Sequence, residues 1–139
     1  MQLKAILNRV QRHKGFVYEG CELKGGKKLV LEVTVRPDKR ASPRCSSCEQ
    51  PGSGYDTLKP RRFEFVPLWG IVVFFLYAMR RVDCRKCGVT VEVVPWADGK
   101  SHLTNAYAGF LAGWAKRMSW NEVARAFHTS WENVFRSVE

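Results

Sequence analysis

CSSC at residues 45–48 and CRKC at residues 84–87 are the parts of this chain best suited to chemistry. A Cys-x-x-Cys turn offers two thiolates to one ion, and two such turns complete a tetrahedral all-sulfur shell around Zn2+. A shell of that kind is closed and structural, with no position left for a substrate. Cys45, Cys48, Cys84 and Cys87 are therefore the candidate ligands. Redox use is the competing chemistry, but a thioredoxin-like pair opens a helix within a βαβ unit, and both pairs here lie among strand and turn signals. A chain using the pairs for neither purpose is the third reading. Five cysteines in a reducing cytoplasm argue against a disulfide framework, since an odd count leaves one unpaired. Cys21, in VYEGCEL, reads as a half-buried strand residue. His13, His102 and His128 are not needed as ligands.

Length and composition bound what must hold these pairs. With 139 residues, 45% hydrophobic and 26% charged, the chain is long enough for a real core. Its longest uncharged apolar run, residues 65–79, is interrupted by Pro67 and Gly70 and is shorter than the roughly 20 residues of a bilayer span. The N-terminus MQLKAILNRVQRHK mixes charge into its apolar positions, unlike a secretory signal. A cytoplasmic protein without membrane contact is expected. The formal net charge of +10 favours a polyanionic partner. The excess is uneven: residues 1–35 hold 7 basic and 3 acidic side chains, residues 36–88 hold 11 and 5, and residues 89–139 hold 5 and 5.

The elements that must position the cysteines follow from periodicity. Leu3, Ile6, Leu7 and Val10 form one stripe of a short helix suited to covering a sheet face. FVYEGCELKGGKKLVLEVTV reads as two strands joined by a tight turn at Gly25-Gly26. Residues 36–60, rich in Pro, Gly, Ser and charge, read as a loop holding the first cysteine turn. RRFEFV and IVVFFLYAMRRV flank PLWG as a second hairpin, whose return strand delivers the chain to Cys84. VTVEVV adds a strand, and PWADGKSH reads as a linker. Three helices follow, with Thr104, Ser119 and Thr129 as their N-caps and with Trp131, Val134, Phe135 and Val138 facing inward on the last. Their close spacing fits a helix-turn-helix, although any compact helical hairpin shows similar stripes.

The expected architecture is thus α+β: a small β-rich four-cysteine zinc-ribbon module followed by a three-helix helix-turn-helix module. Its parts are residues 1–36, an N-terminal helix and hairpin; 37–97, the ribbon; and 98–139, the helix-turn-helix, which ends in ENVFRSVE without a stop signal, as a truncated chain would.

The two cysteine pairs, RRVDCRKCG, VPWA, SWNEVARAF and SWENV together resemble the N-terminal region of the ISL-three insertion-sequence transposases. The resemblance spans roughly residues 30–139. It implies a four-cysteine zinc finger on Cys45, Cys48, Cys84 and Cys87, and a helix-turn-helix over residues 119–138. It also implies recognition of the terminal inverted repeats of the element, as double-stranded DNA, by a protein that is a homodimer when full length. In that family a following nuclease domain cuts and joins DNA. That domain is not expected in this chain, so no catalytic residue is assigned.

The charge pattern suggests a division of labour on DNA. Arg61, Arg62, Arg80, Arg81, Arg85 and Lys86 are candidate phosphate contacts, with Arg80 and Arg81 on opposite faces of one strand. Ser130, Asn133 and Arg136 point outward from the last helix, where Asn133 suits adenine and Arg136 suits guanine or phosphate. A solvated surface role is the alternative for each of these residues. A free-standing regulator of the element and a zinc-ribbon protein adaptor are the alternative functions.

Overall fold

The computed structural model describes residues 2–139. In chain order the elements are α1 (Leu3–Val10), β1 (Phe16–Lys24), β2 (Val30–Pro37), β3 (Ser53–Leu68), β4 (Ile71–Cys84), β5 (Gly88–Val91), α2 (Asn105–Ala115), α3 (Trp120–Ala126) and α4 (Trp131–Val138). The strands form one five-stranded sheet in the order β1-β2-β4-β3, and β5 pairs with the far end of β4.

This sheet corrects the expected architecture of a small ribbon followed by three helices. β4 reads IVVFFLY at its start, apolar on both faces, the pattern of a strand inside a sheet rather than at its edge. It pairs antiparallel with β3 and, through residues 72–76, parallel with β2. β4, which ends at Cys84, is therefore a central strand of a larger sheet that includes the N-terminal hairpin, and a fourth helix, α1, belongs to it. β3 also begins at Ser53, within the segment that composition marks as loop. Its first eight residues are all exposed along a sheet edge, where Pro60 forfeits no ladder bond and where register shifts at Gly54/Asp56 and Thr57/Pro60 are absorbed.

One sheet face carries the main core: Val33 and Val35 of β2, Phe63 of β3, and Val73, Phe75, Tyr77 and Met79 of β4. Alternate β4 residues point to this face, as strand geometry requires. Leu7 of α1 covers it, although Ile6 and Val10 of the same stripe remain exposed. Trp96 completes the cover. Expected in a linker, it is only 2% exposed and meets Phe16, Phe63 and Tyr77 edge-on at 4.9–5.7 Å between centroids. On the opposite face Arg62, Glu32 and Lys24 form an ion-paired row, with Arg62 lying over the Phe74 ring.

The helices have a second core of Leu103, Tyr107, Leu111, Val123, Ala124 and Val134, against which Val66 of β3 packs. Local signals set their starts. Thr104 accepts from the Tyr107 N–H and Ser119 from the Glu122 N–H, both at 3.2 Å. The third cap is one residue later than expected: Ser130 accepts from the Asn133 N–H, while the Thr129 hydroxyl donates to Glu64 at 2.9 Å. His128 supplies the turn between α3 and α4 with a φ of +55°, a conformation more often given to glycine. Trp131 and Val138, expected inward, are each 45% exposed.

Glu64 joins the two cores. Its backbone N–H donates to the His102 carbonyl, its carbonyl accepts from Thr104, and its carboxylate accepts from Thr129. Burial pushes the Glu64 carboxyl above the ordinary carboxylate range, and the Thr129 hydrogen bond pulls it part of the way back. The folded state consequently holds this proton to higher pH than the unfolded chain. The group's contribution is most favourable in acid and falls as pH rises from the ordinary value through the raised one. Glu64→Gln, which keeps an acceptor for Thr129, is expected to raise Tm at neutral pH and to leave it unchanged in acid. Thermal unfolding of both proteins across about pH 4 to 7 checks this. A variant less stable than the parent at neutral pH would show that the charge itself is needed.

Candidate metal centre and nucleic-acid interface

The Sγ atoms of Cys45, Cys48, Cys84 and Cys87 all lie within 4.8 Å of one another, with Cys48 and Cys84 at 3.6 Å. Tetrahedral coordination with Zn–S bonds of about 2.3 Å places sulfurs about 3.8 Å apart, so the arrangement fits a single ion. The four cysteines are thus close enough to hold a metal, and their geometry is compatible with zinc. The first turn is closed by Cys45, whose carbonyl accepts from the Glu49 N–H, and by Glu49, which adopts a left-handed φ of +59°. Gly88 takes the same region in the second turn, at +82°. Cys21 stands exposed on β1, outside this group.

The donors around the sulfurs favour thiolates. Thr90 of β5 donates to the Cys45 sulfur at 3.2 Å and the Ser47 N–H at 3.4 Å. The Thr90 hydroxyl first, and then the N–H groups of Cys48 and Ser47, draw the Cys45 thiol down to about 6. The N–H groups of Cys87 and Lys86 lower Cys84 in the same way. Cys87, the most exposed of the four, is pushed up to about 12 by hydrogen bonding to Cys48 and by desolvation. Cys87 thus holds a proton that a coordinated dication would displace.

The centre is tied to the sheet through the residue opposite Cys45. Cys45 and Glu92 form an antiparallel bridge, and the Val93 N–H donates to the Arg44 carbonyl. Glu92, 3% exposed, accepts from the Tyr77 hydroxyl at 2.6 Å and pairs with Arg80 at 3.0 Å. Sequence patterning gives no hint of this: within VTVEVV a glutamate reads as an outward residue.

The candidate phosphate contacts fall into two sets. Arg80 is held by Glu92 and by the Ala41 carbonyl. Arg81, on the other face, forms a bidentate pair with Asp56. Arg62 is paired with Glu32, and Arg61 donates to the carbonyls of Lys100 and Ser101. Arg85 and Lys86 stand exposed on the second cysteine turn, with no ion pair among the described residues. On α4, Ser130 is engaged as the cap, Asn133 donates through its amide to Thr129 at 2.9 Å, and exposed Arg136 lies 3.9 Å from Glu132. The cysteine turns and α4 are not adjacent. Glu64, which anchors α4, pairs with Phe74, ten residues from Cys84 along β4, a span of about 30 Å.

Among the described residues no helix is long and apolar enough to cross a membrane. No protein-family profile matches the chain, and no solved structure matches it. Over 101 residues, 72% of its length, the chain is 34% identical to the transposase for insertion sequence element IS1557 of Mycobacterium tuberculosis, in strains CDC 1551 / Oshkosh and H37Rv. The matched stretch covers 23% of each relative, so the chain spans about a quarter of the curated proteins it resembles. That similarity supports kinship with an insertion-element transposase.

Proposed function

We propose that this chain is the DNA-recognising part of an ISL-three type transposase, with Zn2+ on Cys45, Cys48, Cys84 and Cys87 and the terminal inverted repeats of its element as the duplex it binds. The similarity to an insertion-element transposase carries this reading. The basic excess of residues 36–88 supports it. Bound zinc supplies a structural cross-link between the two turns and no reactive position.

Arg85 and Lys86 are the principal phosphate contacts in this reading, because their charges are not spent on internal pairs. Arg61, Arg62 and Arg81 act mainly by shaping the sheet, and Arg80 is structural. α4 offers Asn133 and Arg136 to base edges, with Asn133 held in one orientation by Thr129. α4 is anchored near the start of β4 and the second cysteine turn lies at its end, so in this reading the two meet separate stretches of one duplex.

Replacing Arg85 and Lys86 together with glutamine is expected to weaken binding to all duplexes and to reduce the slope of log K against log salt by about 2. Asn133→Ala should instead relax sequence preference at one position, by roughly 1–3 kcal/mol. Selection from a random duplex pool, followed by titration at several salt concentrations, reads both. Absence of any duplex binding by the parent chain at low salt would overturn the reading.

A further inference from the structure

The sheet end opposite the cysteines carries a feature that duplex recognition by α4 does not use. β3 and β4 are joined by a two-residue turn, Trp69-Gly70, since Leu68 pairs with Ile71. Both turn residues have positive φ, +50° for Trp69 and +74° for Gly70, as a type I′ hairpin requires. Asparagine, aspartate or glycine normally takes the first place in such a turn, and a bulky side chain there is strained. Trp69 is nonetheless the most exposed large hydrophobic residue described, at 88%. Folding gains nothing from an indole standing in water on a strained backbone, so its retention points to a ligand.

The neighbouring turn supplies a charge argument. β2 runs parallel to β4 with Val30 opposite Val72, so the β1–β2 turn closes the same sheet end as Trp69. That turn is wider than the expected two residues. β1 stops at Lys24 and β2 starts at Val30, and Gly25, at φ +90°, is held so close that a Cβ would fall 2.3 Å from the Lys28 carbonyl oxygen. Lys27 and Lys28 are exposed, with no ion pair among the described residues. Residues 24–30 and 66–71 contain no acidic side chain. An exposed aromatic face beside uncompensated cations is the composition that binds an unstacked base and its flanking phosphates.

We propose that Trp69, with Lys27 and Lys28, is a second DNA site that stacks on an unpaired nucleotide, such as the single-stranded overhang of a duplex. The proposal rests on the DNA-binding reading above. A base inside an intact duplex has both faces covered by its neighbours and offers Trp69 no partner, so the site selects single-stranded overhangs over paired sequence.

The test uses the full chain and two fluorescently labelled DNAs, a blunt duplex and the same duplex with a short single-stranded overhang. The parent should prefer the overhang by about tenfold, the discrimination that one base–aromatic stack provides. Trp69→Asn, which suits the turn better than the native residue, should abolish that preference and leave blunt-duplex affinity unchanged. Trp69→Phe should retain part of it. Lys27→Gln with Lys28→Gln should flatten the salt dependence of the overhang increment by about 1.4, at roughly 0.7 per phosphate contact on a single strand. Equal overhang preference in the parent and in Trp69→Asn would overturn this site while leaving the duplex reading intact. Failure of the parent to bind either DNA would sink both.

Discussion

Zinc in thousandfold excess over its dissociation constant is expected to stabilise the parent chain by about 4 kcal/mol and to leave a Cys45→Ser, Cys84→Ser variant unaffected. The variant removes one sulfur from each turn, so neither turn alone can close a four-ligand shell. The effect should also be local. Among the cysteines only Cys45 and Cys84 are buried, and neither belongs to the core built on Val33, Phe63, Phe75 and Trp96. The segments whose order depends on the centre are those reached through few backbone bonds: residues 43–52, closed on themselves by Gly52 N–H to Pro43 and held to the rest of the fold by Val93 N–H to Arg44, and residues 84–91. Amide exchange after chelation should therefore accelerate over these two stretches, while β2, the first half of β4 and the helices keep their protection. Unchanged exchange at 43–52 on metal removal would mean that the cysteines pack as ordinary thiols.

What the sequence reveals here depends on how far each signal reaches. The cysteine grouping is legible because two thiols three residues apart already share a turn, and only one long-range closure is needed to unite the pairs. The caps Thr104 and Ser119 are legible for the same local reason. At Thr129-Ser130 two hydroxyls compete for the cap, and the decision is tertiary: Glu64 takes Thr129 and leaves Ser130 to the helix. The parallel pairing of β2 with β4 has no local signature, and without it the second hairpin looks like a free-standing ribbon. Trp96 is hidden for a different reason. Flanked by Pro95 and followed by Asp98 and Gly99, it sits in no periodic run, and its burial depends on rings contributed by β1, β3 and β4. Arg80 shows a related limit, since charge counting cannot see that a buried glutamate twelve residues away pairs with it.

That glutamate sets the other large expected effect. Glu92→Ala should lower stability by about 3–5 kcal/mol, because it removes one partner from a buried ion pair and strands the others. Glu92 Oε2 accepts at 2.6 Å from both the Tyr77 hydroxyl and the Arg80 backbone N–H, and Oε1 accepts from the Arg80 guanidinium. Tyr77 is 2% exposed and Arg80 has a side chain only 18% exposed, so neither reaches enough water to replace what is lost. Urea unfolding should show a lower midpoint with an unchanged slope, as expected when stability alone changes. Glu92→Gln keeps an acceptor for Tyr77 and should lose less. Replacing Glu92 and Arg80 with leucine, and Tyr77 with phenylalanine, removes the side-chain network and should be milder than Glu92→Ala alone, because no charge or hydroxyl is left stranded and only the residue-80 backbone N–H and the Ala41 carbonyl lose a partner. The Cys45–Glu92 bridge is a backbone contact that both variants keep, so any loss of zinc affinity should follow the loss of stability and be smaller in the triple variant. A Glu92→Ala protein within 1 kcal/mol of the parent would mean that water enters to solvate Arg80, and that the sheet does not depend on this pair.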